Sequence, residues 1–545
     1  MFIQSTSRQA PGRVHPCFCR FLEIITLVVF FSMGSAGSWA QSTPDRPVRG
    51  GVFTASLFPE PPSLNPAVQQ VQNVQVVGGK VFESLLTYSH DLVPQPSLAR
   101  AWHISEDRLT YTFTLQQGVM WHDGQPFTSA DVVFNYQHIH RNSSRLRTLM
   151  DNLENVTAPD THTVVFRLKR PYSAFLYVLD IGSGPIMPKH LYEGKDLTTH
   201  PLNNAPIGTG PFKFVRWERG SFIELVRNPD YWQPGLPYLD GITYHIIPDA
   251  ASRRVAIEQG RVMQLMFNEY EPVDIPRLEK NPMLTSTTAG EEFWATVNWI
   301  ELNNSVAPFN DRRFRQALMH ALDRDFIVDK ILFGQGHVAN GPIHPQIRFY
   351  SDDVHRYAYD PQKAMALLDD MGLKPDARGV RASVGLIPLP YGEAQRRVGE
   401  FIKLSLGRIG IQVNLESTDV AGWIRRMGNG EFDMVANGVF QYGDPAIGVA
   451  RTYVCSNIRK GVAFSNTSQY CNHTVDDLFA RAETAPDAER AVLYAQIQKI
   501  ITEDVPVVWT FSINRRKFFN VRVRDAITTA HGVAGSYATT WLAPQ

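Results

Sequence analysis

Cysteine is scarce in this chain, and neither sign of charge prevails. Of four cysteines in 545 residues, Cys17 and Cys19 fall in the first twenty, and only Cys455 and Cys471 follow. No cluster of Cys and His at zinc-site spacing accompanies that later pair. Lys and Arg number 53, as do Asp and Glu. A chain without net charge has no field to gather phosphates, which excludes a nucleic-acid partner. Enzyme signatures are missing as well: there is no G-x-S-x-G, no H-E-x-x-H and no Walker A loop. Gly208-Thr209-Gly210 runs into Pro211, which does not open a phosphate-binding helix. His138 and His140, two apart on a predicted helix, lie on roughly opposite sides and cannot share a metal. No catalytic residue, metal or cofactor is therefore expected, although triads are set by geometry and leave no fixed spacing.

Long apolar runs are also lacking, with one short exception. Residues 1–20 carry Arg8, Arg13 and Arg20 and no acid, and residues 22–33 then read LEIITLVVFFSM. A membrane span needs ~20 apolar residues, which this run does not reach. The segment 34–40 is rich in small residues, with Ser38 and Ala40 three before and directly before a cut after Ala40. The expectation is a secretory signal over 1–40 and a periplasmic mature protein; the alternative is an uncleaved anchor. No Cys follows the cut, which argues against a lipid-anchored form. The cut removes three Arg and one Glu, taking the 53 basic and 53 acidic residues to 50 and 52. It also removes Cys17 and Cys19, leaving an even pair in an oxidising compartment. A Cys455–Cys471 disulfide is expected, with a stabilisation of ~3 kcal/mol on the chain-entropy model. The rest of the chain is too long for one ordinary core, so two or three domains are expected.

What is present is a mixture of two periodicities, which makes the class α/β. In residues 109–120, LTYTFTLQQGVM, the side chains of Leu109, Tyr111, Phe113 and Leu115 share one strand face. His122-Asp123-Gly124 marks a turn, and Thr128-Ser129-Ala130-Asp131 caps a helical run over 132–138. Further strands are expected at 163–168, in a pair within 210–227, and at 244–247, with a helix at 252–259. The character shifts near Trp299. A helix opened by Pro308-Phe309-Asn310-Asp311 presents Phe314, Leu318, Leu322, Phe326 and Ile327 as one buried stripe and closes at Gly334. Helices are also predicted at 360–372, 393–408 and 486–503, followed by strands at 506–512.

Several segments gain meaning when taken together. They are GGVFTASLFPEPPSLNP at 50–66, VFESLL at 81–86 and TFTLQQGVMWHDGQPFTSADVVFNY at 112–136. PIGTGPFKFVRWERGSFIELVRNPDYW at 206–232 and PFNDRRFRQALMHALDRDFI at 308–327 complete the set. In this order they closely resemble the extracytoplasmic solute-binding family 5 that serves peptide and nickel ABC transporters, from about residue 50 to the C-terminus. The resemblance implies a two-lobed periplasmic-binding-protein fold of the large cluster-C type, with two crossing strands and a ligand cleft between the lobes. It implies a discontinuous lobe I of 41–298 plus 511–545 and a lobe II of 299–510. Such a cleft encloses a small ligand and closes about its hinges.

The same resemblance supplies candidate ligand residues. Asp444, in Phe440-Gln441-Tyr442-Gly443-Asp444-Pro445, matches the position whose carboxylate pairs with a peptide amine in dipeptide- and oligopeptide-binding members. The alternative is a turn residue fixing the loop before Pro445. Arg396 matches the region that offers a guanidinium to a ligand carboxylate, a bidentate partner by geometry; the alternative is a solvated helix start. Phe440, Tyr442 and Trp423, with Trp294 and Trp299, are candidates for the cleft lining or for core. Cys455 and Cys471 match a disulfide of dipeptide-binding relatives. The implied role is a monomeric receptor that delivers short peptides or similar zwitterionic compounds to an inner-membrane ABC permease with separate ATPase subunits. Alternatives within the family are a nickel chelate, haem, an opine or an oligosaccharide. From other classes, a secreted hydrolase or a periplasmic chaperone stays open.

Overall fold

The computed structural model describes residues 46–143 and 145–544. The expected signal over 1–40, with its cut after Ala40, lies outside the described residues. Besides the short pair Leu86–Tyr88 and Pro94–Pro96, the strands of the first part are, in chain order, β1 (Val52–Ser56), β2 (Ala99–Ile104), β3 (Thr110–Leu115), β4 (Leu153–Asp160), β5 (Thr163–Leu168), β6 (Phe212–Glu218), β7 (Phe222–Arg227) and β8 (Gly241–His245). They form two four-stranded sheets, ordered β1-β8-β7-β6 and β2-β3-β5-β4. The second sheet is antiparallel throughout, and β3 buries Tyr111, Phe113 and Leu115, as its period of two predicts. After β3, the Asp131 carboxylate accepts the backbone N–H of Thr128 at 2.9 Å, closing the expected cap of a helix at Ser129–Phe134.

A six-stranded sheet follows, built from β9 (Thr296–Leu302), β10 (Gly336–Val338), β11 (Ala382–Ile387), β12 (Ile411–Leu415), β13 (Met434–Phe440) and β14 (Val507–Ile513). Their order is β10-β14-β9-β13-β11-β12. Every residue of β9 is buried between its antiparallel neighbours, so it carries no alternation for a sequence to show. Beyond β14 the chain returns to Lys517–Asn520, which pairs with Leu284–Thr287 and Gln264–Leu265. Two stretches, 284–302 and 507–520, thus connect the sheets on either side. The expected lobe boundaries, 298/299 and 510/511, fall inside β9 and β14.

The helix expected from 308 to Gly334 is interrupted. It runs as α1 (Arg312–Ala321), stops, restarts at Arg324–Phe326 and ends in a π-helical turn at Ile327–Ile331. The cause is Asp323, whose carboxylate accepts the Phe326 N–H at 3.0 Å and starts a new helix with a different phase. Phe314, Leu318, Leu322 and Ile327 are buried, but Phe326 is exposed and stacks on Phe401 instead of joining the stripe.

Gly208 and Gly210 have a steric purpose. A Cβ at Gly208 would lie 1.9 Å from the Val81 carbonyl oxygen, the acceptor of the Gly210 N–H at 2.9 Å. The loop closes on the end of the helix Gln72–Val81, backbone against backbone. Cys455 and Cys471 form the expected disulfide. Changing both to Ser should lower the unfolding free energy by about 3 kcal/mol, read from urea titrations of oxidised wild type against the double variant.

Candidate functional site

Strand β13 ends at Phe440 and leads into a turn with two successive left-handed residues, Tyr442 (φ 51°) and Gly443 (φ 73°). A tyrosine in this region is strained, and such strain gathers where a side chain must be aimed. Gln441 pins the turn: its N–H reaches the Trp294 carbonyl at 2.9 Å, and its amide group bonds to His344 N (2.8 Å) and Pro342 O (2.6 Å). Asp444 then caps the short helix Pro445–Gly448, accepting Ala446 N at 3.0 Å.

Asp444 is fully buried and its partner is a side chain of this protein. Arg490, equally buried, donates to Asp444 Oδ1 at 2.5 Å, and Arg348 lies 3.8 Å from Oδ2. Arg490 belongs to α2 (Asp487–Asp504), 46 residues further along the chain. Asp444 Oδ1 thus has an internal cation and the Asx-type turn bond, while Oδ2 has no hydrogen-bond partner among the described residues.

Beside the turn lies a group of arginines and aromatic rings drawn from distant parts of the chain. The Arg145 guanidinium sits 4.4 Å from the Tyr442 ring centroid and 5.8 Å from that of Trp294. Arg451 lies 5.5 Å from Tyr442. Arg515 covers Phe267 at 4.0 Å and Phe440 at 4.6 Å and pairs with Glu291 at 3.2 Å. Trp294, Phe440 and Tyr442 contact one another edge to face. Next to them, a Cβ at Gly443 would meet Phe293 at 3.2 Å and Tyr177 at 3.4 Å, so the turn is closely packed there.

A cavity of about 360 Å³ opens between His90, Asp91, Leu92 and Glu292 on one side and Gln346, Ile347 and Arg348 on the other. Arg348 spans the two sides, donating to the Tyr177 hydroxyl at 3.0 Å and pairing with Asp487. Arg170–Glu483 (2.9 Å) and the Ser173 hydroxyl bond to Ala485 O (2.7 Å) make further links between early and late segments. Arg348 lines this cavity, and its partner Tyr177 lies against the turn at Gly443, so the cavity and the ring and guanidinium group adjoin through these two residues.

Residues 93–461 match the profile of the bacterial extracellular solute-binding proteins, family 5 (middle). This chain belongs to that family. It is 30% identical over 446 residues to di/tripeptide-binding protein 2 of Pseudomonas aeruginosa (strain UCBPP-PA14), spanning 75% of this chain and 80% of that relative. Heme-binding protein A of Haemophilus influenzae (strain ATCC 51907 / DSM 11121 / KW20 / Rd) is also 30% identical, over 485 residues, covering 83% and 84%. The solved structure of the oligopeptide-binding protein AppA from Bacillus subtilis, in complex with a nonapeptide, superposes with a TM-score of 0.79 at 26% identity. It covers 92% of this chain and 100% of its own. As a family 5 protein the chain has the two-lobed periplasmic-binding-protein fold and is a non-enzymatic substrate-binding component of an ABC importer.

The remaining sequence candidates disperse within this family 5 frame. Arg396, in the first turn of the helix Glu393–Gly407, is exposed and held by Glu393 at 2.6 Å and by Glu400. That is the solvated arrangement weighed against its ligand role. Trp423 is buried in a separate apolar cluster with Ile387, Met427, Phe432 and Val435, its ring N–H donating to Ala436 O at 3.0 Å. Trp299 is core too, bonded to Glu301 at 3.1 Å. Of the named aromatics, Phe440, Tyr442 and Trp294 come together. Sequence reasoning missed Arg145, Arg348 and Arg451, because no spacing relates them and each is an ordinary surface-type residue until the fold joins them.

Proposed function

We propose that this protein captures short peptides or similar zwitterionic small molecules in the periplasm, after removal of residues 1–40, and delivers them as a monomer to an inner-membrane permease driven by separate ATPase subunits. Lobe I, 41–298 with 511–545, and lobe II, 299–510, close on the ligand about the two connecting stretches, and the ligand's preference for the closed form drives closure. Tyr442 and Phe440, with Trp294, contact the ligand. The observation that carries the reading is the meeting of these rings with guanidiniums from distant parts of the chain at the Tyr442 turn, in a protein 30% identical to a di/tripeptide-binding protein. Two buried polar atoms on β9, Thr296 Oγ1 and Asn298 Nδ2, have no hydrogen-bond partner among the described residues and suit the amide groups of a peptide. The equal identity to a heme-binding protein favours haem as the second reading. Native mass spectrometry of the mature protein from its own periplasm distinguishes them. Mass increments that resolve into short peptides are expected; a haem, metal-chelate or sugar increment would keep the receptor role and remove the peptide.

A further inference from the structure

The last carbonyls of an α-helix have no partner within it and carry a partial negative charge. At the end of the helix His473–Thr484 they are met by residues from the early part of the chain. The Ser173 N–H donates to Glu483 O at 2.9 Å, and the Ser173 hydroxyl donates to Ala485 O at 2.7 Å. Arg108 donates to Thr484 O and, at 3.2 Å, to Ala485 O. Arg170 pairs with the Glu483 carboxylate at 2.9 Å. Three early residues thus hold three successive carbonyls and one carboxylate of the late part. They stand together because β3 and β5 are neighbours: the Leu168 N–H reaches Leu109 O at 2.8 Å, which sets Arg108 beside the segment that follows β5. Arg108 has a left-handed backbone, φ 56°, in the turn between β2 and β3. That costly conformation fits a side chain that must be aimed. Asp107 fixes the turn, accepting Ser105 Oγ at 2.5 Å and Leu109 N at 3.0 Å.

We propose that Arg108, Arg170 and Ser173 form a latch, made only when the lobes close, that sets how long any captured solute is held. The inference rests on the two-lobe reading, in which these three belong to lobe I and Glu483–Ala485 to lobe II. It adds positioning residues that hold the closed form without touching solute. Their sheet, β2-β3-β5-β4, is separate from the sheets that contain the two connecting stretches, so the latch is no part of the hinge. Every group in it is polar and passes to water when the lobes part, as a contact that must form and break requires. Pro486 follows the latch directly and α2 begins at Asp487, whose carboxylate pairs with Arg348, the donor to Tyr177. Arg490, three residues on, holds Asp444. The latch therefore fixes the start of the helix that anchors the Tyr442–Asp444 turn, and it reaches that turn through the chain. A contact present only in the closed form shifts the equilibrium toward closure by its own free energy, whatever the solute.

The test uses the mature protein, stripped of co-purified solute by unfolding and refolding, with tri-alanine as probe in stopped-flow measurements. Arg108→Gln and Arg170→Gln should each release tri-alanine at least about tenfold faster, the size of one charge-assisted hydrogen bond, with the association rate unchanged. Arg108→Lys keeps the charge without the fork and should recover part of the loss. Arg167→Gln, at an exposed pair with Glu154 on the same sheet, should behave as wild type. Urea unfolding of the solute-free protein should be alike in all four variants, because the open form does not make the latch. Unchanged release in both Gln variants would overturn the inference. So would a loss of solute-free stability in both without faster release, since the contacts would then join bodies that do not part. If tri-alanine does not bind, the peptide reading fails separately. The molecule that co-purifies from the periplasm then serves as probe, its release followed by native mass spectrometry through dialysis, with the same two outcomes. Small-angle scattering that shows no compaction when either probe saturates the protein would overturn latch and closure together.

Discussion

Asp444→Ala should lower the unfolding free energy by about 4 kcal/mol, the usual cost of removing one partner from a buried ion pair. Asp444 and Arg490 both have side chains with no solvent exposure, 2.5 Å apart. Removing the carboxylate leaves the Arg490 charge buried, with only Asp487 at 3.3 Å to offset it. It also removes the acceptor of the Ala446 N–H at the start of Pro445–Gly448. The double variant Asp444→Ala, Arg490→Leu should recover much of the loss, because it deletes both charges together. A carboxylate waiting for a ligand amine would behave otherwise: Asp444→Ala would then weaken binding while urea unfolding barely moved. Urea titrations of the single and double variants, beside peptide titrations, separate the two roles.

That pair shows where a sequence stops being informative. The G-D-P turn is visible as a turn, but Arg490 lies 46 residues away on α2, and nothing local joins the two. The disulfide is different: with Cys17 and Cys19 in the expected signal, Cys455 had one partner left, and elimination replaced geometry. Strand β3 was legible because one face is buried and the other is not, whereas β9 is buried on both and shows no period. The break at Asp323 was missed because a stripe of apolar residues continues across it, while the cap that resets the phase is a single side chain.

The segments that carried the family resemblance prove to be about folding. Glu83, from VFESLL, accepts from Thr209 of PIGTGPF and from Tyr231 and Trp232 of NPDYW. Gly208 and Gly210 from the same region close on Val81, two residues before Glu83. Residues from two of these segments therefore converge on one buried carboxylate and say little about the solute. The guanidiniums around Tyr442 lie outside all five segments.

Glu83→Ala should cost about 4 kcal/mol, since it strands the buried Thr209 and Tyr231 hydroxyls and the Trp232 ring N–H and leaves a cavity. Their bonds to Glu83 are 2.8, 2.9 and 3.0 Å. Glu83→Gln gives the sharper signature, in pH. Burial raises the Glu83 pKa from 4.5 to about 7, against the lowering effect of the three donors. The folded state then keeps a proton that the unfolded chain has already released between those values, so this group's contribution to stability falls as pH rises through that window and levels off above it. Glu269, also raised to about 7 by burial, acts with the same sign. His122 and His140, lowered to about 4, and His344, lowered to about 3, act with the opposite sign below 6.5. The wild-type profile alone would blend these terms, so the quantity to measure is the difference between wild type and Glu83→Gln. The amide has one acceptor oxygen for three donors and should be less stable at both pH 5 and pH 8. Its deficit should shrink by about 2.5 kcal/mol from pH 5 to pH 8, because only the wild type carries the titrating carboxyl. A deficit that stays constant across the range would mean that the carboxylate is ionised throughout, held by its three donors in spite of burial.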